Sequence, residues 1–122
     1  MNRDTNTSAS MPAESSRDDI PTLDANASAS VAMALGHSLR MRILCKLMPF
    51  GESGLSAGTL STQLKVVPSS LSFHLQQMTR AGVLTARHDA RSIYYRVNFN
   101  AIAALHAFLS GMISPGNRRG FE

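Results

Sequence analysis

Apolar residues recur at helical spacing along most of the chain, give way to strand-like alternation for one short stretch, and then return to helical spacing. Residues 29–36 predict a short Ala-rich helix ending near Gly36. Ser38 is placed to N-cap a second helix, in which Leu39, Ile43, Leu44 and Leu47 form an apolar stripe and which Pro49 stops. Residues 50–55 (FGESGL) read as a loop. Ser56 then caps a short helix carrying Ala57, Leu60 and Leu64, and Lys65, Val66 and Val67 make a tight connection. Pro68 suits the first position of the next helix, which runs to about Arg80 with Gly82 as its stop. VLTARH and SIYYRVN predict two strands joined by a turn around Asp89, Ala90 and Arg91. Asn100 is placed to cap a last helix with Ile102, Leu105, Phe108, Leu109 and Met112 on one side.

The order is four helices, a β-hairpin and a fifth helix, so the fold class is mainly α with a small hairpin. Two short helices joined by a tight turn and followed by a hairpin make the winged helix-turn-helix plan, whose second helix enters the DNA major groove. Residues 28–114 form this domain. Residues 1–27 are rich in Ser, Thr, Asn, Asp and Ala without periodicity and read as a disordered tail, and residues 115–122 as a flexible one. No apolar run approaches the roughly 18 residues of a transmembrane helix, and the N-terminus has no apolar signal region. A single cysteine, Cys45, fits a reducing cytoplasm.

Charge sharpens the picture. Residues 1–27 carry Arg3 and Arg17 against Asp4, Glu14, Asp18, Asp19 and Asp24, a net of −3. Residues 28–119 carry ten Lys and Arg against Glu52 and Asp89, a net of +8. A basic domain behind an acidic segment suits a polyanionic partner, although composition alone does not separate this from ordinary solubilising charge.

The helix at residues 68–80 decides between them. At 100° per residue, Leu71, Leu75 and Met78 share one face, and Ser69, Ser72, Phe73, Gln76 and Arg80 share the opposite one. Gln can bridge two atoms of adenine and Arg two of guanine. Ser69, Ser70 and Ser72 lie near a helix N-terminus, where hydroxyls and free N–H groups suit phosphate. Gln77 completes the polar set, and the helix contains no acid. Phe73 faces away from the core: it either packs against a neighbouring helix or touches a thymine methyl. His74 borders the apolar face, where it either makes a structural hydrogen bond or reaches DNA. Arg87, His88 and Arg91 surround the hairpin tip, suited to phosphate or the minor groove if not merely solvated. The candidate DNA-binding set is therefore Ser69, Ser70, Ser72, Phe73, His74, Gln76, Gln77, Arg80, Arg87, His88 and Arg91.

With these residues in view, the chain resembles the ArsR/SmtB family of winged helix-turn-helix repressors. The matching stretches are ALGHSLRMRILCKL (residues 34–47), GLSAGTLSTQLKVVPSSLSFHLQQMTRAGVL (54–84) and ARSIYYRVN (90–98), and the likeness covers about residues 28–113. It implies a homodimer paired through the first and last helices, binding to double-stranded DNA at an inverted-repeat operator, and repression relieved by an inducer. The sequence departs from the family at Ala90 and in the helix-turn-helix turn, where glycines are usual.

The family's familiar sensing parts are absent. The helix before the recognition helix, SAGTLSTQL, has no cysteine for arsenite, and neither does FLSGMISPG at the chain's end. Residues 99–113 hold His106 and no acid, short of the four ligands zinc prefers. No metal or other cofactor is expected, and nothing names an inducer. His106 reads as a dimer-interface residue with a capacity to respond to pH. Cys45 is a candidate redox sensor, capped by glutathione or persulfide, or else a small buried apolar residue. No nucleophile–base pair, phosphate loop or metal constellation suggests an enzyme. The competing function is a winged-helix module that binds protein instead of DNA.

Overall fold

The computed structural model describes residues 24–113. Of the tails expected at residues 1–27 and 115–122, residues 1–23 and all of the second lie outside the described residues. Helix α1 spans Ala25–Leu35, α2 Ser38–Leu47, α3 Ala57–Leu64, α4 Pro68–Arg80 and α5 Phe99–Met112. Strands β2 (Leu84–Asp89) and β3 (Ser92–Val97) form the hairpin. A two-residue strand, β1 (Leu55–Ser56), precedes α3. This is the winged helix-turn-helix the sequence predicts, with one strand added.

The differences lie at the ends of elements. Helix α1 starts four residues before the expected Ala29, because the Asp24 carboxylate accepts from the Ala27 N–H at 2.8 Å. Residues 24–27, expected in the tail, therefore form the capped first turn. The cap of α2 is not Ser38. His37 takes that place, its ring Nδ1 accepting from the Leu39 N–H at 3.1 Å. Asn98, not Asn100, stands at the N-cap of α5, and its amide donates to the Gly82 carbonyl at 2.8 Å, tying α5 to the turn after α4. Ser56 caps α3 as expected, accepting from the Thr59 N–H at 3.1 Å. Gly82, at φ +84°, ends α4 in a Schellman motif: Gly82 N–H donates to Thr79 and Val83 N–H to Met78.

The sheet has the antiparallel order β1-β3-β2. Leu55 faces Tyr95 and Ser56 faces Tyr94, so the loop before α3 is stitched to the wing. Asp89 faces Ser92, leaving Ala90 and Arg91 as a two-residue turn. Ile43 and Leu47 of α2, Leu60 of α3, Leu71, Leu75 and Met78 of α4 and Val83 meet in one core, all under 2% exposed. Burial of each such side chain contributes roughly 1.5–3 kcal/mol.

Two turns lack the glycine their backbones favour. Lys65, in the helix-turn-helix turn, has φ +59°, and Ala90, at the hairpin tip, has φ +58°. A left-handed L-residue costs about 1–2 kcal/mol, partly offset by its lower entropy when unfolded. Ala90→Gly is accordingly expected to stabilise the protein by about 0.5–1 kcal/mol. Urea denaturation checks this, and an unchanged or lowered midpoint would show that Ala90 carries no strain.

Candidate nucleic-acid interface

Helix α4 is fixed by a buried stripe and presents what remains. Pro68 occupies its first turn after an extended Val67. Leu71, Leu75 and Met78 point into the core, and Ser69, Ser70, Ser72, Phe73, Gln76 and Arg80 are exposed. Gln77 is half-buried at the edge of this face. Neither Gln76 nor Arg80 has a side-chain hydrogen-bond or ion-pair partner among the described residues, so their polar ends are available. Phe73 is 56% exposed, which excludes the alternative of packing against a neighbouring helix within the chain. Its ring instead makes a T-shaped contact with that of His74, 5.4 Å between centroids.

The angle of α4 to α3 is held without glycine. With Lys65 left-handed, the Val66 N–H donates to the Ser61 carbonyl and the Ser61 hydroxyl donates to the Val66 carbonyl. Arg42, from α2, donates to the Leu64 carbonyl at 3.1 Å. That carbonyl closes the last turn of α3, where a cation also meets the negative end of the helix dipole.

His74 makes a structural contact. Its Nδ1 accepts from Arg40 Nε at 3.0 Å, and its ring lies 4.6 Å from that of His37. Burial, then the neighbouring His37 and Arg40, hold the His74 imidazole below the ordinary histidine range. His74 belongs to the seating of α4 on α2, where the sequence had left structural and DNA-contact roles open.

The wing meets α4 across a groove of about 410 Å³ lined by Gln76, Thr79, Arg80, Ala86, His88, Ile93 and Tyr95. The structure thus brings Gln76, Arg80 and His88 together. The floor of Ala86, Ile93 and Tyr95 is not legible in the sequence, since alternation along a strand does not tell which face turns to α4. Arg87 is tethered to its own wing: its guanidinium lies 4.7 Å over the Tyr94 ring and donates to the Ser53 carbonyl at 3.3 Å and to Asp89 at 3.4 Å. Arg91, at the tip, is exposed and has no hydrogen-bond or ion-pair partner among the described residues.

The other suggestive positions stand apart from this surface. Cys45 is exposed on α2, which overturns its reading as a small buried apolar residue. It sits beside Met41, Arg42, Lys46 and Gln63. His106 is exposed on α5, with Nε2 3.4 Å from the Ser110 hydroxyl. Among the described residues, no three of His, Cys, Asp and Glu gather where they could hold a metal ion. No helix there is long and apolar enough to cross a membrane.

No family model matches the chain. The HTH-type transcriptional regulator YgaV of Escherichia coli (strain K12) is 33% identical over 91 residues, 75% of this chain and 90% of that protein. The transcriptional activator HlyU of Vibrio cholerae is 29% identical over 85 residues, 70% of this chain and 76% of the relative. Among solved structures, an ArsR-like transcriptional regulator from Rhodococcus sp. RHA1 matches with a TM-score of 0.66 at 28% identity, covering 77% of this chain and 86% of that one.

Proposed function

Since the chain belongs to the ArsR/SmtB family of winged helix-turn-helix regulators, and is thus a DNA-binding transcriptional regulator and not an enzyme, we propose that it is a cytoplasmic repressor that binds an inverted-repeat operator as a homodimer. The observation that carries this is the acid-free outer face of α4, which opens with Gln76 and Arg80 onto the groove shared with the wing. Placed in the major groove, Gln76 and Arg80 read base edges. Ser69, Ser70 and Ser72 face phosphate beside the free N–H groups of the first turn. Phe73 lies against a thymine methyl or sugar, and Gln77 borders the same face. Arg91 and His88 extend the contact from the wing, and Arg87 stiffens the wing more than it contacts DNA.

The dimer reading rests on apolar surface left over by the fold. Of α5, Ala104 alone is buried, while Leu109 is 50% exposed, Ile113 just beyond it 70%, and Met33 of α1 76%. Helices α1 and α5 pack side by side, so a two-fold axis through them covers this surface in both copies. Metal sensing of the usual kinds is atypical or absent in this reading. Helix α3 has no thiolate, and residues 99–113 offer His106 without a carboxylate. The name of the Vibrio relative favours a second reading, activation from the same DNA contact. The two differ in sign: deleting a repressor raises transcription from its target promoter, and deleting an activator lowers it.

Titration of labelled duplexes from the DNA upstream of the chain's own coding region tests the interface. Arg91→Ala is expected to weaken operator and random duplex alike and to lower the slope of log affinity against log salt by about 2, one phosphate contact being lost from each protomer of the dimer. An unchanged slope removes Arg91 from the phosphate contacts.

A further inference from the structure

His37, Arg40 and His74 form a polar cluster at the junction of α2 and α4, and the two hydrogen bonds its imidazoles accept each need an unprotonated ring nitrogen. His37 Nδ1 accepts the Leu39 N–H that starts α2, and His74 Nδ1 accepts from Arg40 Nε. Arg40 also reaches α1, donating to the Ala34 carbonyl at 3.4 Å, so one guanidinium joins three helices. The two rings stand 4.6 Å apart, and the Phe73 ring makes a T-shaped contact with His74.

We propose that Arg40 and His37 are positioning residues for the recognition helix, acting through His74, and that uptake of a proton by this cluster releases α4 and lowers discrimination between operator and random DNA. A proton on His74 Nδ1 turns an acceptor into a donor facing the Arg40 donor, and adds a cation beside a guanidinium. A proton on His37 Nδ1 likewise removes the cap of α2 and sets a positive charge at the positive end of that helix. No carboxylate is present to absorb this charge. Of the elements packed on α4, α1 and α3 contain no ionisable side chain. On α2, Arg42 is turned to the Leu64 carbonyl and Lys46 lies beside Gln63. On β2, Arg87 is paired with Asp89, and His88 faces the groove beside Arg80. The lowered proton affinity of His74 agrees with this environment.

The sign follows from linkage. In the folded chain His74 binds a proton less readily than in the unfolded chain, so the contribution of its contact with Arg40 is complete above the ordinary histidine pKa of about 6.5 and is lost as pH falls below it. Attraction to phosphate does not fall with it, because protonation adds positive charge. The loss therefore shows in the ratio of operator to random affinity and not in random binding.

The inference rests on the repressor reading for its DNA consequence, and two measurements on the full chain keep the two separable. The first follows the affinity ratio for upstream and scrambled duplexes from pH 7.5 to 5.5 at constant ionic strength, in wild type and in the His37→Asn/His74→Gln double variant, each normalised to its own value at pH 7.5. The wild-type ratio is expected to fall by up to about tenfold for each protomer, the limit that one linked proton across one pH unit sets, and the variant's to stay level. A level wild-type ratio, or a parallel fall in the variant, overturns the proposal. The second follows the His74 ring by NMR. Arg40→Met and, separately, His37→Asn are expected to move its titration midpoint upward, and a midpoint that neither moves overturns the cluster itself. If no upstream duplex is preferred at any pH, the operator reading fails, and the ring titration alone decides whether the proton-sensitive seating exists.

Discussion

Gly54→Ala is expected to remove roughly 2–5 kcal/mol of stability, a large part of the roughly 5–15 kcal/mol that holds a small domain folded. Two independent costs coincide there. The backbone has φ +65°, which a Cβ disfavours. A Cβ at that position would also stand 2.1 Å from the Tyr95 carbonyl oxygen and 2.8 Å from its carbon. Those atoms are main chain, in the central strand of the sheet, and cannot turn away as a side chain could. Tyr95 is the residue that Leu55 pairs with, so relief of the clash requires β1 to leave β3. Gly82→Ala is the control: its φ is +84°, and no atom lies within 4 Å of the added Cβ. It carries the backbone cost alone, about 1–2 kcal/mol. Urea unfolding of both variants reads the difference, and equal losses would show that the approach to Tyr95 is not a constraint.

Removal of the two side chains proposed to read base edges comes next in size. Gln76→Ala and Arg80→Ala are each expected to weaken operator binding by roughly 1–3 kcal/mol per half-site while leaving random-duplex binding nearly unchanged for Gln76. Arg80 also contributes charge, so its loss lowers random binding somewhat as well. Both side chains are exposed on the face opposite Leu71, Leu75 and Met78, so neither truncation opens the core. Equal losses on operator and random DNA would remove both residues from base reading and leave α4 as a phosphate-binding helix.

The parts of this fold that were legible in the sequence are those fixed within one or two helical turns. The spacing of Leu71, Leu75 and Met78 set the buried face of α4, and with it the exposure of Gln76 and Arg80. Pro68 and Gly82 marked its two ends, since one lacks an N–H that the first turn does not need and the other accepts a positive φ. What was not legible depends on partners far along the chain. The two-residue β1 is too short to show alternation and exists because Leu55 and Ser56 meet Tyr95 and Tyr94. The cap of α2 escaped because an imidazole is not among the usual capping side chains, and Ser38 stood next to it. Asn98 takes the N-cap position that the sequence assigns to Asn100, and its amide is held by the Gly82 carbonyl, sixteen residues earlier. The tethering of Arg87 to Ser53 and of His74 to Arg40 joins residues 34 positions apart in each case. Among the candidate site residues, the helix face was therefore readable from local periodicity. The division of the wing into a stiffening Arg87 and a free Arg91 was not.

The central claim is that two copies of this chain present two α4 helices to one two-fold operator. A hydroxyl-radical footprint of the wild-type protein on its own upstream DNA tests it most directly. Two symmetric protected segments are expected, with centres about one helical turn, roughly 10 base pairs, or a multiple of it apart, over a sequence that reads as an inverted repeat. A single protected half-site, or protection spread without sequence preference along the fragment, would contradict it.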